Sequence, residues 1–515
     1  MKKIIAVLLS LILMLSLSVP AFAGQYDEKP TIYVLGARVT SLYAADGTKI
    51  FPAEDGDLGD IISEYLKPCL EEFAKGIVTR DYEKWAEKFH EAVMKGFDDI
   101  ALDGSGEVTD GSHAEHEYNY SLPKKNSGYE VYDYQLYFDW RESPLKTAET
   151  LKRYIDDVKE ATGESKVNLI GRCYGANVVQ AYLTLYSEHA IANVDDVAYL
   201  SSSVLGIDCL GALFSANIEL EPKAVNNFVD YYMENGDLIE DSEMKELIMS
   251  AVDVFEYISV LGLTLDACEF FIDEVREVVF PRVLLDTFGG YVSYWSMVPA
   301  EKYEEARDFL FKGLEDEYAG FIAKCDDYHY NVQLKVEETL KSLEAKGIDF
   351  YMVSKYDFPD VPVFEGATGL ADGYTSVKRQ SFGATCSEHA EVLSDRYIRS
   401  LEDTKYLSPD LQIDASTCLF PETSYFVKGI FHDTFPYAIN KFAIDLMNNE
   451  ATVSGGEYAQ YVLYHGWSDP LTPIEGPDVG SSAAKEPVYM KFIRFMISFM
   501  KIVAKLLKGE ISLGA

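Results

Sequence analysis

Positive charge is what this chain has least of. Its 515 residues carry 45 Lys and Arg against 85 Asp and Glu, a formal net charge of −40. Nucleic-acid affinity comes largely from neutralising phosphates, so no nucleic-acid partner is expected. Cysteine is sparse as well, at seven residues. An odd number in an exported chain leaves one thiol reactive or intermolecular if the rest are bridged. Cys386 and Cys418 flank one loop-rich region and are the expected bridge, while pairing among Cys69, Cys209, Cys268 and Cys325 stays open. The alternative is that several are buried thiols. The sequence has no internal repeat and no low-complexity tract. The apolar run Ile4 to Leu17 is short for a hydrocarbon core about 30 Å thick. Met1-Lys2-Lys3 precedes it and Ala21-Phe22-Ala23 follows, so residues 1–23 read as a signal peptide with an A-x-A cleavage site. A secreted, extracellular or envelope-associated protein is the expectation. His113 and His116 lack further ligands at matching spacing, and neither metal nor cofactor is expected.

Hydrophobic patterning supplies the organisation. Thr31 to Leu35 is a β-branched and aromatic run ended by Gly36, a buried strand entering a turn. Leu58 to Phe97 reads as helical, Asp103 to Asn126 as a loop and Tyr129 to Trp140 as a second aromatic strand region. Ser143-Pro144 opens a helix that runs to Gly163, with the expected cap, first-turn proline and terminal glycine. Val167 to Ile170 is then a strand, Gly171 to Gly175 a turn, Ala176 to Tyr186 an apolar helix and Val194 to Ser201 the next strand. That alternation predicts a βαβ unit of a parallel sheet.

Gly171-Arg172-Cys173-Tyr174-Gly175 occupies the strand-to-helix turn. In such a turn the central side chain projects above the sheet from a strained backbone, and the flanking glycines permit close packing. The helix N-terminus favours negative charge, which helps a thiolate form. Cys173 is therefore a candidate nucleophile that would yield a thioester acyl-enzyme. The alternatives are a small buried residue on an inert scaffold, or a disulfide partner.

Phe138-Asp139-Trp140-Arg141-Glu142-Ser143-Pro144, the helix Thr147 to Thr162 and Lys166-Val167-Asn168-Leu169-Ile170-Gly171 resemble the lecithin–cholesterol acyltransferase and bacterial lipase branch of the α/β-hydrolases. The resemblance is continuous from about Tyr132 to Leu183, and weaker at Val34 to Tyr43 and Glu365 to Asn448. It implies a mostly parallel sheet flanked by helices, and an apolar acyl-ester substrate such as a lipid. The family usually reads G-H-S-x-G, whereas Arg172 and Cys173 stand here. Cysteine is the nucleophile in other α/β-hydrolases, notably dienelactone hydrolases and polyhydroxyalkanoate synthases. The usual Pro-Gly or His-Gly oxyanion loop is Leu35-Gly36-Ala37, so the backbone N–H groups of Ala37 and Tyr174 would supply the hole.

The family order of nucleophile, acid and base implies an acid at Asp372, where Asp372-Gly373-Tyr374-Thr375-Ser376 resembles the family segment. Asp-Gly is also ordinary turn chemistry. His432, followed by the apolar helix Pro436 to Met447, is the implied base; His465 is its rival and His389 a distant third. The hydrolase domain would then comprise 24–205 and 347–486, interrupted by a helical, aromatic cap at 206–346, with the sheet resuming at Ile348 to Val353. Residues 487–515 hold a basic amphipathic helix, with Lys491, Arg494, Lys501, Lys505 and Lys508 near one face. It would either touch an anionic membrane surface or pack on the sheet with its lysines snorkelling to water. Two functions follow: an esterase, lipase or acyltransferase with a Cys-His-Asp triad, or a degenerate scaffold that binds a lipid or envelope partner.

Overall fold

A computed structural model describes residues 29–51, 72, 83–94, 97, 99–116, 134–219, 221–235 and 280–476. The expected signal peptide, the expected C-terminal basic helix and the middle of the 206–346 segment lie outside the described residues, as does most of the expected helix Leu58 to Phe97. The part described there forms a helix at Glu83–Met94.

The chain is an α/β protein built on one eight-stranded sheet. Its strands are β1 (Thr31–Val34), β2 (Tyr134–Leu136), β3 (Val167–Arg172), β4 (Val194–Leu200), β5 (Asp349–Tyr356), β6 (Ser424–Lys428), β7 (Tyr461–Leu463) and β8 (Thr472–Pro473). Their spatial order is β8-β7-β6-β5-β4-β3-β1-β2. Every neighbouring pair is parallel except β7 with β8. A parallel sheet must be covered on both faces, and the residues of β1, β4 and β5 are accordingly almost all buried rather than alternately so. This arrangement, with the Cys173 turn at the end of β3, is the one expected of an α/β-hydrolase fold.

Helices flank the sheet: α1 (Pro144–Thr162), α2 (Tyr174–Leu185) and α3 (Tyr437–Asn448). Ser143 caps α1 by accepting from the Leu145 amide at 3.3 Å, and Gly163 closes it in the left-handed conformation at φ 78°. Thr147, Ala148, Leu151, Tyr154, Ile155 and Val158 form its buried stripe. A buried ion pair explains part of the Phe138-to-Pro144 segment: the Arg141 guanidinium grips Asp139 at 2.6 Å, donates to the Ile100 carbonyl at 3.1 Å and to Ser112 at 2.8 Å. These residues tie β2 to the preceding loop and are structural.

Several boundaries differ from the sequence expectation. The loop Asp103 to Asn126 contains a short strand, His113–Ala114, paired with Leu42–Tyr43. β5 runs on to Tyr356, because the polar Ser354 and Lys355 are buried within the strand. Within 206–346 the described residues form helices and no strand. Its last helix, Val336–Glu344, lies against α2 and β5, with Leu340 and Leu343 buried. Cys386 and Cys418 are free thiols, not the expected bridge; both are buried enough to push their thiol pKa values up.

Candidate functional site

The strand-to-helix turn is tighter than five residues. β3 continues through Arg172, α2 starts at Tyr174, and Cys173 alone turns the chain at φ 48°, ψ −121°. A non-glycine residue at positive φ is uncommon and costs of order 1–2 kcal/mol, so the surroundings must impose it. They do so through close packing. The Cys173 amide donates to the Leu200 carbonyl of β4 at 3.0 Å. A Cβ on Gly175 would lie 2.1 Å from the Val34 carbonyl oxygen, and one on Gly171 would lie 2.7 Å from Ala176 Cα. Glycine at both positions lets α2 lie directly on β1 and β3.

The end of β1 abuts the same point. A Cβ at Gly36 would stand 3.4 Å from Cys173 Cβ, so the Leu35-Gly36-Ala37 turn passes beside the thiol. Ala37 is half-buried in that turn. Tyr174 opens α2, and the first amides of a helix have no acceptor within it. Its side chain is buried, with the hydroxyl donating to the Glu142 carbonyl at 2.9 Å.

Asp372 and His432 arrive from the neighbouring strands, one on the chain after β5 and the other just after β6. Both are buried. His432 Nδ1 lies 2.7 Å from Asp372 Oδ2, and the His432 amide donates to the Asp372 carbonyl at 2.9 Å. The other carboxylate oxygen accepts the Tyr374 and Thr375 amides at 3.2 and 2.9 Å, so the turn chemistry of Asp372-Gly373 orients the carboxylate toward the histidine. Gly373 is required there: at φ 102°, a Cβ would also sit 2.3 Å from the Phe431 ring. Burial pulls the His432 pKa down, but the charges and hydrogen bonds of Asp372 and Cys173 outweigh it and raise it to about 10. Cys173 thus lies within electrostatic reach of the imidazole that Asp372 holds through Nδ1.

The rival histidines lie elsewhere. His465 lies in the connection between β7 and β8 with Nε2 2.7 Å from the Thr472 hydroxyl. The His389 amide donates to the Thr368 carbonyl, and burial lowers its imidazole pKa to about 4. His113 packs on Tyr43, while His116 is exposed beside Glu115.

Three features of the site were not foreseen from sequence. Lys355 is buried on β5 with its ammonium donating to the loop that carries His432. Its signal was a lysine soon after the apolar run Phe350 to Val353. Asp360 is a second buried carboxyl near the site; burial first, then Asp208 and Asp372, raise its pKa to about 8. Nothing in its sequence surroundings marked it. Tyr294, from the 206–346 segment, lies within electrostatic reach of Arg38 and Cys173.

No family model matches the chain, and no curated protein matches it. Among solved structures, the crystal structure of the Tle4-Tli4 complex is similar at 12% identity, covering 64% of this chain and 75% of that one, with a TM-score of 0.25. A likeness that slight carries no residue across. The chemistry rests on the geometry above.

Proposed function

We propose that the protein is an exported ester hydrolase or acyltransferase in which Cys173, His432 and Asp372 act as nucleophile, base and orienting acid. The observation that carries this reading is a cysteine held at positive φ before a helix, within electrostatic reach of a buried histidine whose Nδ1 is bonded to a carboxylate. An imidazolium beside the sulfur stabilises its thiolate. The sulfur attacks the ester carbonyl carbon, and the developing oxyanion takes hydrogen bonds from the Tyr174 and Ala37 amides. The carbon–oxygen bond to the alcohol then breaks, and His432 returns its proton to the leaving alkoxide. A water or second alcohol, deprotonated by His432, cleaves the thioester and regenerates the thiol. Asp372 fixes the imidazole tautomer and balances its charge throughout. The substrate class is an apolar acyl ester, with Tyr294 on the acyl side of the sulfur.

The test is a series of p-nitrophenyl esters of increasing chain length, comparing the wild type with Cys173→Ala. Turnover that rises with acyl length and disappears in Cys173→Ala is expected. Equal background rates in both would leave a lipid-binding scaffold as the better account.

A further inference from the structure

The loop that carries His432 is held by two basic side chains, Lys355 and Arg172; burial pulls the Lys355 pKa well down, and the Asp372 carboxylate opposes that. Lys355 Nζ, from β5, donates to the carbonyls of Phe431 at 3.4 Å, His432 at 2.9 Å and Thr434 at 2.7 Å. An ammonium has three protons, and these three acceptors match them. Arg172, the residue immediately before Cys173, donates through Nη2 to the remaining carbonyl, that of Asp433, at 3.3 Å. The same two side chains close on one ring: the Arg172 guanidinium carbon lies 3.7 Å and Lys355 Nζ 3.3 Å from the centre of Phe435. Every carbonyl from Phe431 to Thr434 therefore answers to a basic side chain rooted in the sheet or its nucleophile turn.

We propose that Arg172 and Lys355 are positioning residues that clamp the histidine loop to the Cys173 turn, with Phe435 held between them. The inference rests on the Cys173–His432 reading and explains the arginine that stands where the resembled family has histidine. Arg172 and Cys173 are adjacent on one backbone, so the Phe435 contact fixes the loop in register with the sulfur. A loop with free carbonyls would let the imidazole drift, and misplacement by about 1 Å can cost roughly a hundredfold in rate. Lys355 reaches the same loop from below through β5, the strand that leads into Asp372. Base and acid are thereby referred to common supports.

Alkylation of Cys173 by iodoacetamide in the full chain, followed across pH, tests the clamp. Arg172→Met and Phe435→Leu should each slow the reaction near about pH 6 by about tenfold and move the rate profile to higher pH, whereas Arg172→Lys, which keeps a cation over the ring, should recover most of the rate. In a His432→Ala background, Arg172→Met should change the rate by less than about twofold, because the clamp acts through the histidine. An equal loss in both backgrounds would show that Arg172 acts directly on the sulfur and would overturn the proposal. Lys355→Met removes three buried hydrogen bonds; if it does not fold, Arg172→Met and Phe435→Leu still report on the same loop. The downfield proton NMR signal of the His432 Nδ1–H shared with Asp372 gives a readout independent of ester or thiol chemistry. It should broaden or vanish in Arg172→Met and persist in Arg172→Lys. An unchanged signal in Arg172→Met sinks the clamp, whereas an intact clamp with inert esters sinks only the proposed activity.

Discussion

Gly175→Ala would place a methyl group where β1 and α2 have no room for it. The added carbon would stand 2.1 Å from the Val34 oxygen, 2.5 Å from the Leu35 oxygen and 2.7 Å from the Val34 carbonyl carbon. Relieving these contacts requires α2 and β1 to part by about 1 Å, since non-bonded carbons pack at roughly 3.5–4 Å. The obstacle is backbone, and β1 is pinned between β2 and β3. The cost should therefore reach or pass the upper end of the roughly 1–3 kcal/mol typical of overpacking. Alanine in place of glycine within a helix returns about 1 kcal/mol. A net loss of about 2–3 kcal/mol is expected, read as a lower denaturant midpoint and a fall in Tm of several degrees. Gly320→Ala is the control: it lies in the helix Ala319–Asn331 with nothing near the added carbon, so a gain of about 0.5–1 kcal/mol is expected. The reasoning fails if Gly175→Ala unfolds at or above the wild-type midpoint. Because β1 leads into Leu35-Gly36-Ala37, the same variant should also lose ester turnover out of proportion to its stability.

Asp372→Asn keeps an oxygen for the Tyr374 and Thr375 amides but turns an NH2 group toward His432 Nδ1, so folding should survive while turnover falls by about three orders of magnitude. His432→Ala should slow iodoacetamide alkylation of Cys173 at mildly acidic pH, and His465→Ala should leave it unchanged; the reverse pattern would move the base to His465. Asp360 supplies a pH test: its folded pKa, raised to about 8, lies above its unfolded value, so its contribution to stability is fully present below about pH 4 and is lost as pH rises through 8. Asp360→Asn should accordingly flatten the fall in denaturation free energy between about pH 5 and 8, whose slope from one such group is at most about 1.4 kcal/mol per pH unit. An identical slope in wild type and variant would place the titration elsewhere.

What the sequence determined by itself is local and periodic. The α1 boundaries follow from Ser143, Pro144 and Gly163, because capping and φ restriction act within a few residues. The strand, glycine-framed turn and helix around Cys173 were legible for the same reason, and the fold class followed from apolar strands alternating with helices. The tertiary structure decided everything that depends on groups far apart in the chain. It brings His432 to Asp372 across 60 residues of sequence and gives His465 a different partner in Thr472. It leaves Cys386 and Cys418 as thiols, because proximity in a loop-rich stretch does not specify bond geometry. It buries Lys355 and Asp360, whose meaning lies in the carbonyls and charges that converge on them rather than in their neighbours along the chain. Periodicity tells which face of an element is buried; it does not tell which polar groups from other elements will meet there, and burial among such partners is what sets charge and position in a site.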